Sequence, residues 1–309
     1  MRKRLIMVYT IVLCVVLTAC HATKTIQCDD ILKQLVMFNE KSGWAVSAEN
    51  EILITENGVQ EFRPVHQITD INIVTDGFVN AAFPDKQTAY ITYFSQSEEK
   101  LIVEHTHNGG ESWKKTLISY QEYAEVCDAG SAFLSFSDEE KGCLLYCSTP
   151  ASGQMTKLLF STEDGGEHFT FLSDLTNELS GYPSGVSFAD KEHGWIAVTY
   201  HGAESYLYQT DDGAQTWQSA GVYSKDETVL YVDGFAPVFY GENHQKGSLI
   251  LKEVESDNTV YRLFVTDDMG VTWKAQGEVI CDTLTGYSVD SDGYIWIIDG
   301  EKIVQHRLP

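Results

Sequence analysis

The chain has 309 residues, of which 43% are hydrophobic and 12% aromatic, enough apolar material to bury a core, which excludes a disordered chain. Its 45 Asp and Glu stand against 21 Lys and Arg, a formal charge of −24. Such a surface excludes nucleic acid as a partner, because neutralising phosphates needs clustered Lys and Arg, and it also keeps the body off an anionic bilayer.

In chain order, Met1-Arg2-Lys3-Arg4 is a basic start, and Leu5 to Ala19 follows without a charge. That stretch reaches only ~22 Å as a helix, short of the ~30 Å hydrocarbon core, so it suits a signal peptide better than a membrane span. Leu17-Thr18-Ala19-Cys20 resembles the bacterial lipobox. The resemblance implies cleavage before Cys20 and lipidation of its thiol, on a protein exported to the outer face of the cell membrane, or to the periplasm in a two-membrane cell. Two or more acyl chains hold such a tether stably. The expected organisation is a signal peptide over 1–19, a lipidated tether over 20–22 and one domain over 23–309.

Cys14 leaves with the signal, and Cys28, Cys127, Cys143, Cys147 and Cys281 remain in the body. Cys143 and Cys147 share a face of a strand-like run but stand ~13 Å apart, too far to bridge. No further ligands lie at metal spacing, so buried free thiols are expected, with no metal and no cofactor.

Five octets recur roughly 50 residues apart, starting at Thr55, Thr106, Thr162, Thr210 and Thr266. The third place holds Asn57, Asn108, Asp164, Asp212 or Asp268, a Gly follows at the fourth or fifth, and the last place is Phe62, Trp113, Phe169, Trp217 or Trp273. A short carbonyl side chain that accepts backbone bonds, a Gly for positive φ and an aromatic that packs back describe a hairpin turn. The pattern resembles the Asp-box, or bacterial neuraminidase repeat. A second motif precedes the octets: Phe38 to Gly43-Trp44, Phe136 to Gly142 and Phe188 to Gly194-Trp195, with a variant at Phe83 and a degraded copy near Phe235. A sixth half-unit runs from Tyr287 to Trp296. All six tryptophans fall within these motifs, which marks them as structural.

Four short antiparallel strands in about 50 residues make one propeller blade. The expected fold is therefore all-β, a six-bladed propeller of four-stranded antiparallel blades, with seven blades as the alternative. Thr23 to Cys28 is expected to supply the outer strand that the last blade lacks, closing the ring and protecting its edges. The Asp-box resemblance implies that the octets lie between third and fourth strands at the bottom rim, as scaffold. It places ligands at the opposite mouth, where Tyr120, Tyr123, Tyr182, Tyr200, His201 and Tyr223 are the candidate binding-loop residues. Asp290-Ser-Asp292-Gly293 is a plain hairpin turn rather than a calcium loop. His105 and His107 read as a solvated pair on one strand face.

The resemblance extends to two families. Sialidase-like enzymes clamp a substrate carboxylate with three arginines and use a Tyr–Glu nucleophile, because the guanidinium fork matches a carboxylate. After the signal only Arg63, Arg262 and Arg307 remain, none placed for a central cavity. The blade rhythm also closely resembles the photosystem II assembly factor family, which implies a non-catalytic module that binds proteins. The expectation is thus a lipid-tethered protein-binding or assembly module, with a glycan-binding protein or sialidase-like glycosidase as the alternative. Its partner is a protein or a glycan, and it contacts the membrane only through its lipid.

Overall fold

The computed structural model describes residues 23–72, 78–123, 128–200, 206–222 and 229–308. Cys20, His201 and Tyr223, the Cys127 thiol and the expected signal peptide lie outside them. The described chain is all strand apart from one 3-10 turn, Glu242–His244.

After β1 (Lys24–Gln27), three hairpin-linked meanders follow. They are β2 (Leu32–Met37), β3 (Gly43–Ser47), β4 (Glu51–Thr55) and β5 (Arg63–Gln67); β6 (Val79–Ala82), β7 (Ala89–Phe94), β8 (Leu101–Thr106) and β9 (Lys114–Ile118); and β10 (Ser131–Phe136), β11 (Gly142–Cys147), β12 (Lys157–Thr162) and β13 (Thr170–Asp174). Then come β14 (Tyr182–Phe188), β15 (Gly194–Tyr200), β16 (Leu207–Thr210), β17 (Gln218–Ser219), β18 (Tyr231–Gly234), β19 (Val238–Tyr240), β20 (Lys246–Val254), β21 (Thr259–Thr266) and β22 (Lys274–Val279). Finally β23 (Leu284–Val289), β24 (Tyr294–Asp299) and β25 (Lys302–Arg307) pair with β1, in the order β1-β25-β24-β23. The segment expected to complete the last sheet does pair there, Lys24 opposite Gln305 through Gln27 opposite Lys302.

The sheets depart from the sequence reading between residues 182 and 279. Four sheets have four strands each, but β14 to β22 form one nine-stranded sheet instead of two separate blades. β18 pairs with β15 through Thr199–Asp233 and Tyr200–Val232, and on its other edge with β20. Pro237, which has no N–H to give a ladder, stands in the break between β18 and β19, so the first strand of this unit is split.

The burial of each strand follows its place. β7, Ala-Tyr-Ile-Thr-Tyr-Phe, is buried at every position because neighbouring sheets cover both its faces. β9 and β13 are outer strands with alternating or largely exposed residues, and the two lysines opening β9 guard an edge. The core lies between sheets. Trp44 and Val46 pack with Ile91 and Ala89, Tyr90 and Phe94 with Leu144 and Tyr146, and Trp296 and Ile298 of the last sheet with Leu35 and Met37 of the first.

The two motifs seal these junctions at one end. A Phe at or near the end of the first strand of one unit packs its ring against the aromatic near the start of the second strand of the unit before it. The pairs are Phe83 on Trp44 at 5.4 Å, Phe136 on Tyr90 at 3.5 Å and Phe239 on Trp195 at 4.4 Å. The Asp of the motif folds the turn: Asp85, Asp138 and Asp190 each accept two backbone N–H groups through Oδ1. Asp290 does the same for Asp292 and Tyr294, which makes residues 290–293 the hairpin turn expected.

Every octet lies between a third and a fourth strand. In the last three octets and that of Asn108, the Thr hydroxyl donates to the Asp or Asn Oδ1 at 2.7–3.0 Å and accepts the N–H of the fifth residue. The same Oδ1 accepts the N–H of the seventh residue, as Asp212 does from Thr216 and Asp268 from Thr272. The first octet differs, since Thr55 donates to the Gly58 carbonyl. All five octets tie back to the turn between the first and second strands of their own unit, through Gly58 to Lys41, Gly109 to Gln87, Gly165 to Glu140, Gly213 to Glu192 and Met269 to Gln245. Both kinds of turn therefore occupy one end of the molecule. At Gly270 (φ +78°) a Cβ would sit 2.6 Å from the Trp195 ring, so only glycine allows that approach. The octet tryptophans are half-buried: Trp113 stacks on His66 at 4.6 Å, Trp217 meets Phe188 edge-on at 6.2 Å, and Trp273 lies 6.2 Å from Phe239.

Candidate functional site

The first strands converge on one cavity of about 830 Å3. Its wall is made by residues 33–38, 78–84, 133–137, 184–188, 235–241 and 285–289, with His244 and Ser291 beside them. First strands are not hydrogen-bonded to one another in ladders, so their facing backbone groups need other partners. One polar side chain supplies a partner at each junction. Gln34 accepts the Ala81 N–H at 2.8 Å and donates to the Ala81 carbonyl at 3.2 Å. Asn80 accepts from Leu134 N at 2.8 Å, and Ser135 Oγ from Phe188 N at 2.8 Å. Ser184 Oγ donates to the Gly234 carbonyl at 2.7 Å, the Tyr287 hydroxyl lies 3.1 Å from the Ala236 carbonyl, and Ser288 Oγ accepts from Met37 N at 3.3 Å. With these groups engaged, much of the remaining wall is aromatic. Phe78 meets Phe133 edge-on at 5.4 Å, and Phe235 meets Tyr287 at 6.4 Å.

The titratable side chains among the described lining residues are Lys33, Tyr240, His244 and Tyr287. Burial lowers the Lys33 pKa, and its Nζ donates to Asn50 Oδ1 at 2.7 Å. Burial raises both tyrosines, so they stay protonated and act as hydrogen-bonding groups. His244 Nδ1 lies 2.7 Å from the Ala189 carbonyl, which makes it a donor there. This set can bind and orient a ligand through hydroxyl, amide and aromatic contacts.

The arginines stand elsewhere. Arg63 opens β5, Arg262 on β21 pairs with Glu253 at 2.6 Å and Glu278 at 3.7 Å, and Arg307 on β25 lies over the Tyr294 ring at 5.8 Å. None of them lines the cavity. A Tyr–Glu pair does exist, Tyr93 to Glu104 at 2.5 Å with His66 2.7 Å from the same carboxylate. It lies on β7 and β8, away from the cavity wall. Burial opposes ionisation of Glu104, but the bonds from His66 and Tyr93 outweigh it and lower its pKa.

Of the expected binding-loop tyrosines whose side chains are described, Tyr120, Tyr123 and Tyr182, none lines this cavity. Tyr120 is buried, packed on Tyr146 at 4.3 Å and against Phe94 at 6.0 Å, which corrects its assignment as a ligand contact. Tyr123 is exposed but stacks on Phe171 at 4.2 Å. Tyr182 opens β14 and does not line the cavity; Tyr200 closes β15. His105 is a second correction. It is buried, not solvated, because Tyr90 and the octet glycine Gly166 close over it, and burial lowers its pKa; only His107 is exposed. Cys28, Cys143 and Cys147 are buried free thiols and Cys281 is half-buried; burial raises all four, Cys147 and Cys281 to about 12, which keeps them unreactive.

Sequence reasoning missed Gln34, Asn80, Ser135 and Ser184. The available signal was a lone polar residue in a strand otherwise apolar, as in Val79-Asn80-Ala81-Ala82.

No family model and no curated protein matches the sequence. Solved structures do match in shape. YCF48 bound to D1 peptide is similar with a TM-score of 0.53 at 12% identity, over 93% of this chain and 95% of that one. The fold is a β-propeller. YCF48 from Cyanidioschyzon merolae gives a TM-score of 0.50 at 12% identity, over 93% and 99% of the two chains. The GH74 enzyme of Niastella koreensis gives 0.52 at 10% identity, over 90% of this chain. The propeller spans about half of that enzyme's length (52%).

Proposed function

We propose that this propeller is a non-catalytic binding module, exported and tethered by a lipid on Cys20, with residues 23–309 as one domain that holds a polypeptide at its central cavity. The observation that carries it is the cavity wall, whose hydroxyl and amide groups brace neighbouring first strands while its aromatic rings remain as contact surface. A retaining or inverting glycosidase needs two carboxyl groups about 5–10 Å apart across its substrate. The titratable side chains among the described lining residues, Lys33, Tyr240, His244 and Tyr287, are a different chemistry. YCF48, of similar fold, is described as bound to a peptide, and that supports a polypeptide as the ligand class.

In this reading the propeller counts six blades: β14–β17 and β18–β22 are two blades joined by the β15–β18 pairing, and β1 is the outer strand of the last. Six polar bridges between successive first strands support that count, and Met37 to Ser288 supports a ring closed between first and last units.

A glycan-binding or sialidase-like role is the second reading, favoured by the shape shared with the GH74 enzyme. Purified protein offered fluorogenic sialosides and xyloglucan oligosaccharides separates the two. The proposal expects no hydrolysis, and turnover that disappears on substituting Glu104 or Tyr93 would refute it.

A further inference from the structure

We infer that the octet end of the propeller faces the lipid bilayer, which leaves the opposite mouth as the open way into the cavity. The inference rests on the reading of Cys20 as the lipid anchor and goes beyond it, because a lipid by itself leaves the body free to point either way.

The place where β1 enters the fold decides the direction. Lys24 lies opposite Gln305, three residues before Leu308, whose N–H donates to the Gly293 carbonyl at 2.8 Å. Gly293 belongs to the turn that Asp290 folds. Ser291 of that turn donates its N–H at 3.3 Å and its hydroxyl at 2.9 Å to the Phe38 carbonyl. Phe38 opens the turn of the first unit, and Gly58 of the first octet is tied to the same turn through the Lys41 carbonyl. The chain therefore enters the propeller at the octet end. It leaves β1 at the other end, where the Cys28 N–H donates to the Glu301 carbonyl at 3.1 Å and the chain turns toward β2.

Chain length then sets how far the octet end can stand from the membrane. Four Cα–Cα steps separate Cys20 from Lys24. At no more than ~3.6 Å per step, Lys24 lies within about 14 Å of Cys20 whatever the conformation between them. The two ends of the propeller are farther apart than that. β21 runs from Thr259 to Thr266, the residue that opens the fifth octet, and at ~3.4 Å per step it rises about 24 Å. Two or more acyl chains keep Cys20 in the bilayer. Laying the opposite mouth on the membrane would lift Lys24 beyond the reach of its tether, whereas the octet end reaches the surface without strain. Glu56, Glu61, Glu163 and Asp211 are exposed on the octets, and the cost of burying their charges keeps this face out of the hydrocarbon.

The test uses the full chain, purified with its lipid and returned to phosphatidylcholine liposomes that carry an acceptor dye on some headgroups. Val271, 77% exposed in the fifth octet, and Ile280, 88% exposed just past β22, stand at opposite ends of one strand. An azide-bearing amino acid in place of either one, coupled to a donor dye, reports its distance from the headgroups by energy transfer. Transfer should be greater from position 271 than from position 280, with the melting temperature unchanged by either label. A 20-residue Gly/Ser linker inserted after Ala22 adds about 25 Å of root-mean-square reach, comparable to the separation of the two ends, and should remove most of that difference. Equal transfer, or greater transfer from 280, in a chain that floats with the liposomes overturns the inference and leaves the lipid and binding-module readings standing. A difference undiminished by the linker also overturns it, since an attraction between surfaces and not the tether would then set the direction. A chain that does not float with the liposomes overturns the Cys20 reading and this inference together.

Discussion

Trp44 and Trp195 hold equivalent places in the repeat, and their unequal hydrogen bonding predicts an unequal response to the same substitution. Each ring is 1% exposed, and each is covered by the Phe of the following unit, stacked at Trp44 and tilted at Trp195. Trp44 Nε1 donates to the Asp85 carbonyl at 3.1 Å, whereas Trp195 Nε1 is buried without a partner among the described residues. The difference arises because the turn that Trp44 reaches is replaced, in the unit after Trp195, by the 3-10 turn Glu242–His244. Tryptophan to phenylalanine removes similar area and leaves a similar void at both sites, so that cost largely cancels. What remains is one net hydrogen bond lost at Trp44, about 1 kcal/mol, and one stranded donor relieved at Trp195, about 1–3 kcal/mol. Trp44→Phe should therefore destabilise by about 2–4 kcal/mol more than Trp195→Phe. Urea unfolding by tryptophan fluorescence and circular dichroism reads this as a lower midpoint at unchanged slope. Equal midpoints, or a larger loss for Trp195→Phe, would refute the bonding account of these seams.

Gly270→Ala should cost about 2–5 kcal/mol, since it places a Cβ 2.6 Å from the Trp195 ring at positive φ, while Gly293→Ala, with open space around it, should cost about 1–2; calorimetry on both compares them directly. Asp212 is held down to about 2, first by the Thr216 hydroxyl and then by the Thr216 N–H. Its folded pKa lies below the unfolded one, so its contribution is complete above about pH 4 and is lost as pH falls toward 2. The melting-temperature gap between wild type and Asp212→Asn should therefore close over that window and stay constant at neutral pH; a gap that widens in acid would contradict this. Cys20→Ala should abolish incorporation of labelled fatty acid and shift the protein out of the membrane fraction as precursor or released chain; continued labelling at the N-terminus would refute the lipobox assignment.

The repeat was legible in the sequence because each of its residues does local work. Asp212 binds the turn it sits in, and Gly213 supplies that turn's positive φ, so spacing alone locates them. The pairing of Lys24–Gln27 with β25 was legible for a related reason: the last unit visibly lacked a strand. What escaped depends on partners distant in sequence. Nothing near His105 signals that Gly166 will close over it, and Tyr120 reads as a loop aromatic until Tyr146 and Phe94 are beside it. The merger of β14–β22 into one sheet hinges on how β18 is oriented after Pro237 splits its strand, a geometry with no periodic trace. Gln34, Asn80 and Ser135 look like ordinary polar residues until the neighbouring first strand supplies a backbone group across the junction.

The central claim, a polypeptide held at the cavity, is tested most directly by site-specific photo-cross-linking in the native membrane. A benzophenone amino acid replaces Ser187, in the cavity wall, or Leu172, exposed on the outer strand β13. The account predicts a discrete polypeptide adduct from position 187 that is absent from position 172. Adducts of equal yield from both positions, or a glycan and no polypeptide at position 187, would contradict it.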